Sequence, residues 1–139
     1  MITVLLVGVV LLTPCSFRAG GDLPDARCTP GAVVLLPLAE LCTGSYTGTR
    51  HVSAAQKREA FRRYGLDIRK VKGDWEVDHL VPRCLGGADL IENLWPEAAP
   101  GFHEKDMIGA RVCREMCAGR RGDLEKSRDA FAHDWRDLR

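Results

Sequence analysis

Hydrophobic and polar positions alternate with clear periods over residues 51–139. The first periodic segment, which begins at Ser53, predicts an amphipathic helix. Ser53 and Gln56 stand three residues apart, the pattern of a capping box at a helix start, and Gly65 supplies the stop. Ala60, Phe61 and Tyr64 share one face of this helix, whereas the other face is basic. We therefore expect the helix to bury its apolar side against the rest of the domain.

The next periods predict a β-hairpin followed by two helices. Residues 75–81 are rich in β-branched and aromatic side chains and predict a strand, and residues 90–95 lead back until Pro96 breaks the second segment. Apolar residues at helical spacing then predict a helix of about 15 residues ending near Gly119 and a last helix over 123–138. The fold class expected from this order is α+β.

The first half of the chain is harder to interpret. Residues 4–12 form an apolar run near the N-terminus, followed by a polar, glycine-containing stretch. We interpret residues 1–20 as a signal peptide or a lipoprotein leader, with Cys15 as the lipid attachment point, and the alternative is a buried first strand. No apolar run reaches the ~20 residues of a mature membrane span. Residues 21–50 predict an irregular arm, and 51–139 the functional domain.

The chain has six cysteines, more than is typical of a cytosolic protein of 139 residues, which favours an oxidising compartment. A disulfide between Cys28 and Cys42 is expected to close a loop in the arm. Either Cys113 or Cys117, on one face of a predicted helix, is expected to pair with Cys84 and to leave the other free. The chain has no CxxC motif, so a four-cysteine zinc site is disfavoured.

A net charge of +1 is not that of a strongly basic nucleic-acid binder, but the charge is unevenly distributed along the chain. Residues 50–72 carry eight basic and two acidic side chains, whereas residues 73–107 carry two basic and eight acidic ones. A basic segment beside an acidic one suits a protein that binds both a cation and a polyanion.

Four sequence features occur in a fixed order within the acidic segment and the start of the following helix. They are Asp78-His79, the Gly86-Gly87 turn, an Asn-Leu-Trp-Pro run beginning at Asn93, and His103 shortly before Lys105-Asp106. This set resembles the HNH nucleases of the ββα-metal superfamily, and most closely the small exported members of actinobacterial type. The resemblance covers about residues 75–135. The chain departs from the family pattern in two places. The run Arg83-Cys84-Leu85 lacks the acidic residue usual before the two glycines, and Gly109 stands where the helix usually has an acidic residue.

The resemblance implies specific roles for the residues of this set. His79 is expected to act as general base, Asn93 as an orienting residue that holds either the His79 ring or the loop, and Asp78 and His103 as metal ligands. Glu104 and Asp106 are accessory ligand candidates. Lys105 is expected either to contact phosphate or to pair with a carboxylate. Outside the region of the resemblance, the basic face of the first helix, with Arg62 and Arg63, is either a phosphate contact or a solvated face.

The same residue types suit phosphodiester hydrolysis on chemical grounds. An imidazole with an ordinary pKa near 6.5 is a suitable base at neutral pH, and a divalent ion stabilises the charge of the leaving oxygen. Mixed histidine and carboxylate ligands suit Mg, Mn, Zn or Ni.

The expected function is therefore a secreted or envelope-associated, monomeric endonuclease that acts on DNA with low sequence specificity, with RNA as the alternative substrate. The alternatives are a non-catalytic, disulfide-stabilised binding domain, or an intracellular nuclease of phage type.

Overall fold

The computed structural model describes residues 13–139 as a mixed helical and stranded α+β domain; the apolar run at 4–12 lies outside the described residues. The helices and strands follow in chain order: α1 (Leu38–Cys42), α2 (Ala54–Arg63), β1 (Trp75–His79), β2 (Leu94–Ala98), α3 (Gly101–Cys117) and α4 (Leu124–Asp134). Short 3-10 helices occur at Ala19–Gly21, Arg83–Leu85, Ile91–Asn93 and Trp135–Leu138.

The capping box predicted for α2 is present. The Ser53 hydroxyl accepts a hydrogen bond from the Gln56 backbone, and the Gln56 side chain accepts one from the Ser53 backbone. Two otherwise unpaired backbone donors are thereby satisfied at the helix start. Ala60 and Phe61 are buried, as the apolar pattern predicts, and they pack on the hairpin with Val77.

Strands β1 and β2 form a two-stranded antiparallel sheet that runs from the Trp75–Ala98 pair to the His79–Leu94 pair. Pro96 lies inside β2 opposite Val77, so the prediction that Pro96 ends this segment is wrong. Both strands of a two-stranded sheet are edges, where a residue without an N–H is tolerated. The hairpin therefore extends beyond the proline and presents Glu97 opposite Glu76.

Helices α3 and α4 pack together and complete the main core. Ile108, Val112 and Met116 form the buried stripe of α3, and Phe131 and Trp135 meet them from the C-terminal segment. Gly109 lies at a close approach, since a Cβ there would be 3.3 Å from the Pro82 ring. The absence of a side chain therefore lets α3 lie close to the loop after β1.

Three disulfides link the described cysteines, and their pairing differs from the prediction. Cys42 bonds to Cys117 instead of Cys28, because α1 packs beside α3 and brings their Cα atoms to 5.7 Å. Cys113 bonds to Cys84, as one of the two alternatives anticipated, but Cys117 is not free. All six cysteines are consequently in disulfides.

The remaining disulfide joins Cys28 to Cys15, which corrects two further predictions. A sulfur held in a disulfide carries no thioether-linked lipid, so the structure contradicts a lipid anchor at Cys15. Residues 13–20 also belong to the folded domain: the Cys15 backbone donates to Arg63, and Arg18 bridges to Leu23. The folded part of the chain thus begins before the predicted leader boundary at residue 20.

Candidate functional site

A cavity of about 430 Å³ opens where the end of β1, the following loop and the first turns of α3 meet. Its lining includes three carboxylates, Glu76, Asp78 and Asp106. The His79 ring lines the same cavity, together with three cationic side chains, Arg50, Arg83 and Lys105. Candidate metal ligands, a candidate base and positive charge therefore share one space.

The three carboxylates are close enough to share a cation. One oxygen from each of Glu76, Asp78 and Asp106 lies within 4.8 Å of the others. Glu76 and Asp78 are two residues apart on β1 and therefore point to the same face of the sheet. Asp106 reaches them from the second turn of α3, so hairpin and helix both contribute to the cluster.

Burial and the crowding of these carboxylates change the titration of Glu76 and Asp106. Burial, followed by repulsion from Asp78, raises the pKa of Glu76 and that of Asp106 above their ordinary values. A nearby cation would relieve both effects by favouring the ionised carboxylates. The donor set therefore fits a divalent ion, and three carboxylate oxygens suit Mg²⁺ or Mn²⁺ better than a softer metal.

Lys105 lies beneath this cluster and is buried, not available to a phosphate. Its ammonium is 2.6 Å from Asp78 Oδ2 and donates a hydrogen bond to the His79 carbonyl. It thus neutralises one carboxylate and ties α3 to the end of β1. Of the two roles expected for Lys105, the structure shows the pair with a carboxylate; the side chain is only 2% exposed and does not present its ammonium to a phosphate.

Glu97 is the fourth carboxyl group near the cluster and is almost completely buried. Burial, followed by repulsion from Asp78, raises the pKa of Glu97 to about 10. A raised pKa favours the neutral form of the Glu97 carboxyl group, whereas Glu76, Asp78 and Asp106 share the cavity with Lys105 and Arg50.

His79 is held at the cavity wall by a carboxylate that the sequence did not point to. Its Nε2 lies 2.7 Å from Asp89 Oδ1. Burial lowers the pKa of His79 below its ordinary value, although the bond to Asp89 opposes this shift. A ring with a lowered pKa is neutral at pH 7 and can accept a proton.

Asn93 is fully buried and holds the loop rather than the His79 ring. Its Nδ2 donates to the carbonyls of Val81 and Ala88, and its Oδ1 accepts from the Val81 backbone N–H. Gly87 packs beneath this clamp, where a Cβ would be 1.8 Å from the Val81 oxygen. Asn93 therefore fixes the path of the chain between the two strands.

The other predicted ligands lie away from the cavity. His103 is exposed on α3, where its ring packs on Phe102 with the centroids 4.1 Å apart. Glu104 forms an ion pair with Arg139. Of the four ligand candidates, Asp78 and Asp106 are brought together, whereas His103 and Glu104 are not.

The predicted phosphate contacts on α2 have partners within the protein. Arg62 pairs with Glu59 at 2.6 Å but is 72% exposed, so it remains accessible to an anion. Arg63 donates hydrogen bonds to the carbonyls of Ile91 and Cys28, so its guanidinium links segments of the protein to one another.

Sequence reasoning missed three residues that line or support the cavity: Glu76, Asp89 and Arg50. The Glu-x-Asp spacing on a predicted strand was the available signal for Glu76, since residues two apart share a face. Asp89 and Arg50 lie in loops, where no periodic pattern indicates a contact.

Within residues 13–139, no helix combines the length and the apolar character that crossing a membrane requires. Comparison of the chain with protein-family models, curated proteins and solved structures finds no match.

Proposed function

We propose that the protein is a metal-dependent endonuclease of HNH type that hydrolyses phosphodiester bonds in DNA. The observation that carries this proposal is the single cavity shared by His79 and the carboxylates Glu76, Asp78 and Asp106. The order β1, loop, β2 and α3 around this cavity supports the ββα-metal resemblance. RNA is the alternative substrate.

The proposed reaction needs one proton acceptor and stabilisation of negative charge. His79 takes a proton from water, and the water oxygen forms a bond to phosphorus. The bond from phosphorus to the 3′-oxygen breaks, and its electron pair stays on that oxygen, which then takes up a proton. The order of magnitude expected from a positioned base is about 10²–10⁴ in rate.

Glu76, Asp78 and Asp106 would hold the divalent ion. When bound, the ion supplies Lewis-acid stabilisation of charge on the phosphate and the leaving oxygen. Arg50 lies beside these carboxylates, with one guanidinium nitrogen donating to the Val77 carbonyl at 2.9 Å. Its remaining nitrogens are available to a phosphate oxygen.

The uneven charge of the chain and its disulfides suit a polyanionic substrate outside a reducing cytosol. Residues 50–72, with eight basic and two acidic side chains, include α2 and its flanking loops. Such a segment attracts a nucleic-acid backbone without reading its sequence. Three disulfides support action in an oxidising compartment, as expected for a secreted or envelope protein.

Nicking of a supercoiled plasmid with Mg²⁺, Mn²⁺, Zn²⁺ or Ni²⁺ tests this proposal. We expect cleavage by the wild type and a loss of at least about 100-fold in His79→Ala. His133→Ala is the matched control, because His133 is exposed on α4 and is not among the residues that line the cavity. Full activity of His79→Ala would refute the mechanism, and no cleavage with any metal would favour the non-catalytic binding domain.

Metal binding can be measured separately from activity. We expect Mg²⁺ or Mn²⁺ to raise the melting temperature of the wild type, since a ligand that binds only the folded state stabilises it. Asp106→Asn removes one of the three carboxylates and should reduce this shift. An equal shift in Asp106→Asn would contradict the assigned ligands.

A further inference from the structure

Asp89 connects the candidate base to three other parts of the fold. Its Oδ1 is 2.7 Å from His79 Nε2 and 3.3 Å from Arg83 Nε. Its Oδ2 accepts a hydrogen bond from the His51 backbone at 2.8 Å. Both oxygens are thus engaged, and the carboxylate has one orientation relative to the imidazole.

The backbone of Asp89 is fixed as well. Its carbonyl accepts a hydrogen bond from the Gln56 side chain at 2.7 Å, and Gln56 is itself locked in the capping box of α2. The side chain is only 15% exposed. The position of the carboxylate is therefore set by the start of α2 and by the loop after β1, not by solvent.

The contact determines which ring nitrogen of His79 carries the proton. An ionised carboxylate only accepts hydrogen bonds, so Nε2 must be the donor. Hydrogen bonds from the His51 backbone and His79, with the nearby Arg83 charge, outweigh burial and lower the pKa of Asp89. Nδ1 of a neutral ring then has a free lone pair, and no hydrogen bond to Nδ1 occurs among residues 13–139.

We propose that Asp89 is a positioning residue that fixes the orientation and the Nε2-protonated tautomer of His79, leaving Nδ1 to accept the proton of the attacking water. This inference rests on the proposed nuclease function for its use in catalysis. It assigns to Asp89 the orienting role that the sequence resemblance gave to Asn93, whose three polar contacts are all with backbone groups of the loop.

Arg83 supports Asp89 and occupies a position where the resemblance has a different residue. Its guanidinium stacks on the Tyr46 ring at 4.4 Å and donates to the Tyr46 carbonyl. The side chain is 9% exposed, so its charge is directed at Asp89 instead of solvent. The departure from the family pattern at this position therefore belongs to the same assembly as Asp89.

The first test is kinetic and uses Asp89→Ala with Glu92→Ala as the matched control. Glu92 is an exposed carboxylate three residues along the same loop. With Mg²⁺ and a plasmid substrate, we expect kcat of Asp89→Ala to fall by about 100-fold while KM changes by less than about threefold. A purely structural role would instead change KM and the melting temperature, and unchanged kcat in Asp89→Ala would overturn the inference.

The second test is spectroscopic and independent of cleavage. Nitrogen-15 spectra of histidine-labelled protein at pH 7.5 distinguish the two tautomers, and the His79 signals are assigned by their loss in His79→Gln. We expect an Nε2-protonated ring in the wild type and in Glu92→Ala, and loss of this preference in Asp89→Ala. Asp89→Asn should also disturb the tautomer preference of His79. The NH₂ group of the asparagine would replace one of the two acceptor oxygens, so it would face a donor: either the His51 N–H or the Arg83 and His79 nitrogens.

The two readouts separate the inference from the proposed function. An Nδ1-protonated ring in the wild type overturns the assignment of Asp89 whether or not the protein cleaves. An Nε2-protonated ring in a wild type that cleaves with none of the metals refutes the nuclease function, and with it the catalytic use of this contact.

Discussion

Asn93 offers a sharp test of the fold because both polar atoms of its side chain take part in buried hydrogen bonds, three in all. Replacing Asn93 with Ala leaves the N–H and C=O of Val81 and the C=O of Ala88 without their side-chain partner. A buried polar group left unsatisfied costs about 1–3 kcal/mol. Part of the loss is recovered by relaxation of the loop, so we expect destabilisation of about 3–6 kcal/mol.

Urea unfolding under non-reducing conditions measures this loss. With a slope of about 1.5–2 kcal/mol per M, a loss of 4 kcal/mol lowers the midpoint by about 2–3 M. Asn93→Asp is the more stringent variant, since it keeps an acceptor for the Val81 N–H but places oxygen against two carbonyls. Glu92→Ala, at the neighbouring exposed position, should leave the midpoint unchanged. A loss below about 1 kcal/mol in both Asn93 variants would refute the clamp.

Three further predictions concern other parts of the fold. Replacing Cys84 and Cys113 together with Ala removes a crosslink over a separation of 29 residues, and we expect urea unfolding to show a loss of about 3–4 kcal/mol; equal stability would contradict this. The Arg27 side chain, helped by backbone donors, holds the pKa of Asp25 well below its ordinary value, so this carboxylate stabilises the fold above about pH 4 and loses that effect as the pH falls. The free energy of unfolding of the wild type should therefore exceed that of Asp25→Asn by less at pH 3 than at pH 6. Urea unfolding measures both values, and a difference that does not change with pH would contradict this role of Asp25. Gly87→Ala places a Cβ 1.8 Å from a backbone oxygen, and a thermal melt should show a loss of at least about 2 kcal/mol, whereas a wild-type melting temperature would show that the loop adapts.

The elements that the sequence predicts well are those with local signals. The capping box of α2 lies within four residues, and the apolar stripe of α3 repeats with the helical period, so both are readable without tertiary information. Asp78 and His79 are likewise found at the end of β1, where the strand pattern places them. The end of β2 was misjudged because Pro96 disfavours a central strand but not an edge.

The residues that sequence reasoning misplaced depend on contacts between distant segments. The partner of Cys42 is set by the packing of α1 on α3, a separation of 75 residues that no spacing rule contains. His103 lies only three residues from Asp106 on α3, yet its ring packs on Phe102 and stays outside the cavity lining. The Asp89 contact depends on loop paths that only the folded chain defines.

The pairing of the cysteines also determines what a protease could do to this molecule. The Cys84–Cys113 disulfide is nested within the span closed by Cys42 and Cys117. A single backbone cut anywhere between residues 43 and 116 would therefore leave both pieces joined in one covalent molecule. A cut between the hairpin and α3 would fall inside both loops, so these two elements would stay tethered until a reductant had opened both crosslinks.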